Sequence, residues 1–400
     1  MDFRFTPEQE AFRQEIRQFL VKELPPDWTK GGHNTEEEED EGEHKDNIAR
    51  QLAKKMGAKG WLTGAWPKKY GGLGWTPMEQ VIFAEEMTKH KVPRPYIQDA
   101  GTNNVGPTIA VHGTEEQKTK WLPGIARADS RWCQLMSEPN AGSDLAGLET
   151  KAVEDGDDFV VNGTKIWTSN AHKSDFGALM ARTDMNAPKH KGISFMIVDM
   201  HTPGITFQPL VNINDVHSFN QVFLDNVRVP KTNLIGEKNK GWYSGATVLN
   251  MERSFIRHSI ISGEYYDEVV AFLKKGINGR YPLKENEVLR HKLAELQVEL
   301  RVSRLLAYRV AWLQSQNKSL AYESSMSKLY TGEMAQRLSQ VVMEAFGLYG
   351  QIKEHSPHEH LRGKMQQIYL TQRGITIGGG TSEIQRNLMA RRGLGLGQAA

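Results

Sequence analysis

FVVNGTKIWTS, residues 159–169, is where the texture of the chain becomes unmistakably β. Apolar, β-branched and aromatic residues flank Asn162-Gly163, a strong two-residue turn signal, so the stretch predicts a hairpin at that dipeptide. Similar runs follow: ALMART at 178–183, GISFMIVDM at 192–200, ITFQPL at 205–210 and QVFLDNVRVP at 221–230. Short strands with no helical period between them imply an antiparallel sheet or barrel.

On both sides the period is helical. Thr6-Pro7-Glu8 is a helix start, with an N-cap, a Pro and an acid in the first turn, followed by Phe12, Ile16, Phe19 and Leu20 at helical spacing. Further helices are predicted over 46–58, after Pro77 through Val81, Ile82, Phe83 and Met87, over 98–112, and from Thr114, whose partner in a capping box is Gln117. The acidic run TEEEEDEGE within the loop 25–46 reads as a solvated face. Beyond the β region, Leu289, Leu293, Leu296 and Leu300 mark one long helix, and Met334, Leu338, Val341, Val342 and Ala345 another. Several long helices with short connections suggest a bundle. The expected organisation is a helical domain over 1–130, a β domain over 131–240 and a helical bundle over 241–400.

SGATVLNMERSFIRHSIIS, residues 244–262, reads as the first helix of that bundle. Glu252 stands out in it. Its helical neighbours at three and four residues are Val248, Leu249, Phe255 and Ile256, all apolar. A desolvated carboxylate has a raised pKa and can accept a proton near neutrality. From the helix alone, a Glu paired with a nearby cation is the simpler reading.

Composition narrows the function. Basic residues number 50 against 48 acidic, and this balance gives no argument for nucleic acid or an anionic membrane surface as partner. No run of about 18 apolar residues exists, so no membrane span is expected. The N-terminal segment carries acids and lacks the basic head of a secretory signal. The single cysteine, Cys133, forms no intrachain disulfide and reads as a small buried residue, which agrees with a cytoplasmic setting.

No Gly-x-Gly-x-x-Gly lies between a strand and a helix, and no Walker A pattern is present, so a Rossmann or P-loop nucleotide site is not expected. HSPHEH, residues 355–360, reads as a solvated loop rather than a metal site. Two glycine-bearing stretches remain. In LMSEPNAGSDLAG, 135–147, small residues let backbone N–H groups and the Ser137 and Ser143 hydroxyls approach a ligand, or form an ordinary turn. ITIGGGTSEIQRNLMARR, 375–392, runs from three glycines into a helix, with Ser382 and Gln385 as a predicted capping box. Such a helix start suits an anion or a developing oxyanion.

Taken in order, WPKKYGGLGW, HGTEEQKTKWLP, LMSEPNAGSDLAG, VNGTKIWTSN, VFLDNVRVP with LIGEKNKGW, and GGGTSEIQRN resemble the acyl-CoA dehydrogenase family of flavoproteins over nearly the whole chain. The resemblance implies an α+β multidomain fold: an N-terminal all-α domain, a middle β-barrel and a C-terminal four-helix bundle. It also implies FAD between the β domain and the bundle, an acyl-CoA thioester against the flavin, and conversion to a trans-2-enoyl-CoA. The family's first flavin segment falls on Gln134, Leu135, Met136, Ser137, Gly142 and Ser143, with Ser143 also near the CoA part of the substrate. The second falls on Trp167, Thr168 and Ser169, with Trp167 on the ring and Ser169 toward N5. Thr381, Ser382 and Glu383 fall on a third flavin segment.

Many members carry the catalytic carboxylate just before Gly-Thr-Ser, where this chain has Gly379. Others, such as the isovaleryl and long-chain types, carry it on the first bundle helix before an Arg. Here that position is Glu252, before Arg253, so the resemblance and the apolar surroundings meet on Glu252 as the base. Asn250, Arg253, Gly379 and Gly380 would then face the substrate. The chain departs from the family at Glu344 and Leu348 in EAFGLYG, and at INGRYPLKEN. In the family these regions hold the FAD of a neighbouring subunit, so a homo-oligomer and a hetero-oligomer with a paralogous chain both stay open. Electron-transfer flavoprotein is the expected acceptor; a flavin oxidase or monooxygenase on the same fold is the alternative. The expected acyl group is bulky, branched, cyclic or dicarboxylic.

Overall fold

The computed structural model describes residues 5–26, 28, 42–92, 100–245, 255–277, 281–316, 318, 320 and 322–397, with side chains of the second helix described from 47. The elements run α1 (Pro7–Glu23), α2 (Gly42–Ala58), α3 (Pro77–Lys89), α4 (Gly106–His112), α5 (Glu115–Ala126), then β1 (Trp132–Leu135), β2 (Lys151–Asp155), β3 (Asp158–Ser169), β4 (Phe176–Arg182), β5 (Ile193–Asp199), β6 (Ile205–Val211) and β7 (His217–Pro230). The helix α6 is described over 241–245. After it come α7 (Ile256–Lys275), α8 (Pro282–Glu285), α9 (Glu287–Ser315), α10 (Glu323–Phe346), α11 (Lys364–Ile375) and α12 (Ser382–Leu388). The chain thus has the expected order of helical, β and helical domains. Contacts group it into two packed units that cut across this linear order: one drawn from 1–35, 76–92 and 253–400, the other from 36–75 and 93–252.

In the first unit, α7, α9, α10 and α11 supply the core. Leu289, Leu293, Leu296 and Leu300 fall on one face of α9 and are buried with Tyr265, Val269, Met334, Leu338, Val342 and Met365. Each such side chain contributes about 1.5–3 kcal/mol on leaving water. The predicted helix start at Thr6 is a full capping box with Gln9. Beside this core lies a charged network. The Arg13 guanidinium donates to Glu85 and Glu86, each at 2.8 Å; Arg17 donates to Glu86 at 2.7 Å and Arg304 to Glu85 at 2.7 Å. The Tyr308 hydroxyl also donates to Glu85. Burial alone would raise both carboxyls, but these donors and charges win and hold them below the usual range.

Across α7 the structure corrects the sequence. Phe255 adopts a left-handed conformation, φ 55°, and the helix starts at Ile256. The apolar period read through 244–262 therefore does not run on one continuous helix. Asn250, Glu252 and Arg253 lie outside the described residues.

The second unit is built on a seven-stranded sheet of order β1-β4-β2-β3-β7-β6, with β5 on β4. Most pairs are antiparallel; β1 runs parallel to β4, pairing Trp132 with Phe176 and Leu135 with Leu179. β4 and β5 are buried on both faces. One face packs Leu179, Met196 and Val198 with Phe159, Val161 and Val222. The other packs Ala178, Met180, Phe195 and Ile197 against Ile109, Trp121, Leu122 and Ile125 of α4 and α5. The Thr114–Gln117 capping box is present as read. Cys133 is buried.

The hairpin at Asn162-Gly163 is not there. β3 runs straight through it, and the turn is at Gly156-Asp157, between the paired Asp155 and Asp158. Gly163 instead marks a register shift against β7. A Cβ there would stand 2.4 Å from the Thr150 hydroxyl oxygen, so close approach of two backbones explains the glycine.

The charged network predicts an acid limb. Because Glu85 and Glu86 titrate below the unfolded value of 4.5, the unfolded chain binds more protons below that pH, and stability falls as pH falls. Glu85→Gln leaves Arg13 paired with Glu86 but removes the charge-assisted bonds to Arg13, Arg304 and Tyr308; it should cost about 1.5–3 kcal/mol at neutral pH and flatten that limb. Urea unfolding between pH 3 and 7 reads both effects.

Candidate functional site

β1 delivers the segment 134–143 to the surface of its unit. Leu135 and Met136 turn their side chains into the core, so they offer a ligand only backbone. Gln134 and Ser137 are half-buried, and Gly142 and Ser143 are exposed. Glu138 and Ala141 exchange backbone hydrogen bonds at 3.1 and 3.0 Å, closing the turn Pro139-Asn140.

Beneath this turn sits a feature the sequence reading missed. The Glu138 carboxylate accepts the backbone N–H groups of Glu149 at 2.6 Å and Thr150 at 2.9 Å. It also accepts the Lys165 ammonium at 2.8 Å, and Lys165 donates to the Met136 carbonyl at 3.0 Å. Lys165 is fully buried, and burial pushes its ammonium down to about 8 against the pull of Glu138. Burial would raise Glu138, but Lys165 and the donated hydrogen bonds hold it low. One backbone bond, Ile166 N–H to Ser137 carbonyl at 2.9 Å, completes the tie between the two segments.

The second segment is the end of β3. Its register against β7 shifts between Lys165 and Thr168, and at this bulge Trp167 adopts φ 58°. A left-handed aromatic residue costs backbone energy, which such sites retain when the surroundings enforce it. The result is an indole that is 61% exposed, edge-on to Phe219 at 5.9 Å, with Ser169 exposed two residues on. Thr168 points the other way: it is buried, and its hydroxyl has no partner among the described residues. Asn220, fully buried, fixes this strand end. It donates to the Thr168 carbonyl at 3.2 Å and to His172 Nδ1 at 3.0 Å, and accepts from His217 Nε2 at 2.9 Å. The two imidazoles stack at 4.1 Å. An exposed indole held out by strained backbone beside hydroxyl-bearing residues suits the flat face of a heteroaromatic ring such as a flavin.

The third segment is in the other unit. The N-cap of α12 is Thr381, not Ser382: the Thr381 hydroxyl accepts the Ile384 N–H at 3.3 Å. Gln385 does not close a capping box; its amide turns back to the carbonyls of Gly379 at 3.4 Å and Gly380 at 3.2 Å. Ser382 is buried, and its N–H donates to the Thr376 carbonyl at 3.0 Å. The Glu383 carboxyl is lowered by its own backbone N–H and by Thr381. An open cleft lined by Gln336, Arg337, Thr376, Thr381 and Glu383 runs beside this helix start. Of the divergent positions, Glu344 pairs with Lys292 at 2.5 Å, Leu348 is exposed, and Asn286 caps α9 through the Leu289 N–H.

The Glu138–Lys165 pair is tested by its removal. Lys165→Met should destabilise the chain by about 3 kcal/mol, since it strands a buried carboxylate. Glu138→Gln with Lys165→Met together should cost less than the sum of the singles. Chemical denaturation of the four proteins gives the coupling.

Models of the acyl-CoA dehydrogenase N-terminal, middle and C-terminal domains match residues 6–129, 133–227 and 239–394. The chain is 38% identical over 392 residues to acyl-CoA dehydrogenase FadE29 of Mycobacterium tuberculosis, covering 97% of each. Among solved structures, the Tcur3481-Tcur3483 steroid ACAD is 34% identical with a TM-score of 0.86, and the match covers 100% of both chains. The ChsE4-ChsE5 complex from Mycobacterium tuberculosis is 33% identical with a TM-score of 0.86 and the same coverage.

Proposed function

The chain belongs to the acyl-CoA dehydrogenase family, FAD-dependent oxidoreductases that act on acyl-CoA, and we propose that it desaturates the α,β bond of a bulky cyclic acyl-CoA of steroid type. The observation that carries the chemistry is the left-handed, exposed Trp167 on a strand end tied through Lys165 and Ile166 to the Ser137 turn. Similarity to a steroid ACAD supports the substrate class.

In this reading Gln134, Ser137, Trp167 and Ser169 would hold the isoalloxazine, with Leu135, Met136, Gly142 and Thr168 contributing backbone, and Thr381, Ser382 and Glu383 are the third segment assigned to the cofactor. FAD, when bound, supplies the two-electron acceptor for the β-hydrogen. The chain's own work is the proton. Glu252 takes the α-proton as the Cα–H bond breaks, and the β-hydrogen leaves with its electron pair, so the substrate becomes the trans-2-enoyl thioester. Backbone N–H groups of Gly379 and Gly380 stabilise the thioester oxygen as it gains charge. Ser143, Asn250 and Arg253 orient the acyl-CoA. Electrons pass on to electron-transfer flavoprotein.

A second reading concerns assembly. Similarity to the ChsE4-ChsE5 complex, together with the altered residues Glu344 and Leu348, favours a hetero-oligomer with a paralogous chain over a homo-oligomer.

Anaerobic titration of the yellow protein with straight, branched, cyclic and steroid-side-chain acyl-CoAs tests the function, with bleaching expected from the steroid class. Bleaching by short straight chains alone would refute the substrate assignment; reduced flavin that turns over only with oxygen would move the protein to the oxidase reading. Glu252→Gln should retain FAD and bind acyl-CoA, yet lose about 10²–10⁴-fold in flavin reduction rate. Unchanged reduction in that variant would refute Glu252 as the base. A chain that takes up FAD only when co-expressed with a paralogue would support the hetero-oligomer.

A further inference from the structure

Lys328 lies on α10 and is 5% exposed. Its ammonium donates to the Gly380 carbonyl. Its Cε stands 3.6 Å from where a Cβ on Gly379 would be, and its Nζ is 5.9 Å from the ring centre of Phe255, the left-handed residue that starts α7. The turn it grips is left-handed at two successive residues, φ 65° at Gly379 and 92° at Gly380, and the Gly380 carbonyl also accepts from Gln385.

Lysine is almost never buried this far without a carboxylate. The elements packed against α10 carry many charged or titratable groups, among them Arg257 and His258 on α7, Glu299 on α9, Arg373 on α11, Glu383 and Arg386 on α12, and Arg391 and Arg392 after it. Among the described residues no carboxylate pairs with Lys328, and burial alone lowers it to about 8. Methionine would fill the same space without the cost of a buried charge. Among the described residues, the polar partner of the ammonium is the Gly380 carbonyl.

We propose that Lys328 is a positioning residue of the dehydrogenation: through the Gly380 carbonyl it holds the Gly379–Gly380 turn in the shape that receives the thioester, and it adds fixed positive charge where the thioester oxygen becomes enolate-like. The inference rests on the reading of 379–383 as the thioester and flavin segment. The charge matters more in the transition state than in the bound substrate, because only there does the oxygen carry negative charge. Its effect belongs in kcat rather than KM.

The test uses the flavin-loaded full chain and the variants Lys328→Met, Lys328→Gln and Lys328→Arg, assayed from pH 6 to 9.5 with the acyl-CoA that bleaches the wild type. Lys328→Met should lower kcat by about tenfold to a hundredfold with KM nearly unchanged. It should also remove a decline in kcat that the wild type shows above about pH 8. Lys328→Gln, which keeps a donor without the charge, should fall close to Met, and Lys328→Arg should recover most of the loss. A 3-thiaacyl-CoA, which ionises at Cα but cannot pass on a hydride, gives an independent reading: its long-wavelength charge-transfer band with oxidised flavin should weaken in Met and Gln and return in Arg. Wild-type kcat and an unchanged band in both Met and Gln overturn the proposal. So does a loss of kcat that only tracks lost flavin or a lowered Tm and that Arg does not rescue. A wild-type chain that no acyl-CoA bleaches overturns this inference and the dehydrogenase reading together; an active wild type with indifferent variants overturns this inference alone.

Discussion

The buried pair between Glu138 and Lys165 is the constraint on which the β-domain face of the site depends. One carboxylate takes two backbone N–H groups at the start of β2 and one ammonium from β3, and the same ammonium reaches back to the Met136 carbonyl. Three chain segments, 136–138, 149–150 and 165, are thereby fixed by one side-chain contact. In the turn that follows, Pro139, Asn140, Gly142 and Ser143 are exposed and Ala141 alone is buried in the core. The turn's position is inherited from the pair below it. Such a pair is poor evidence for net stability, because both ions were desolvated to make it, but it specifies one arrangement, since any other leaves a buried charge unmatched. A surface that receives a rigid planar group gains from that kind of fixation.

The helical parts of the fold were legible because their ends are written in local chemistry. Thr6 and Thr114 each cap a helix with the residue three positions on, and the leucines of α9 repeat on one face. Local signals failed where they competed. Asn162-Gly163 is a better hairpin signal than Gly156-Asp157 taken alone, yet the chain turns at the latter because β3 must continue to pair with β7. In Thr381-Ser382 either hydroxyl can cap a helix. The spacing from Ser382 to Gln385 points to the wrong one, because the Gln385 amide is spent on glycine carbonyls. Phe255 is harder still. Nothing in its identity announces a left-handed backbone, and an apolar period reads straight across it.

The candidate site was legible as segments and illegible as contacts. The motif resemblance put these stretches forward, and Trp167 and Ser169 within them are exposed. It gave no hint that Leu135 and Met136 face the core, that Asn220 anchors the Thr168 carbonyl from 52 residues away, or that Lys165 is a buried cation rather than a surface one. These are tertiary facts. A lysine in a β run is ordinarily read as pointing to solvent, and only the location of Glu138 reverses that.

The two buried lysines show how the same side chain divides its uses. Burial lowers both ammonium groups to about 8. Lys165 faces a carboxylate and backbone, so its field is cancelled within a few ångströms and its effect is geometric. Among the described residues Lys328 meets a carbonyl and an aromatic ring, each of which attracts a cation without neutralising it. Its charge remains available to whatever negative charge arises beside the Gly379–Gly380 turn, and a low-dielectric interior extends that reach. Two cations that burial shifts in the same direction are thus separated by their partners: an ion pair fixes structure, and a cation held by dipoles supplies field.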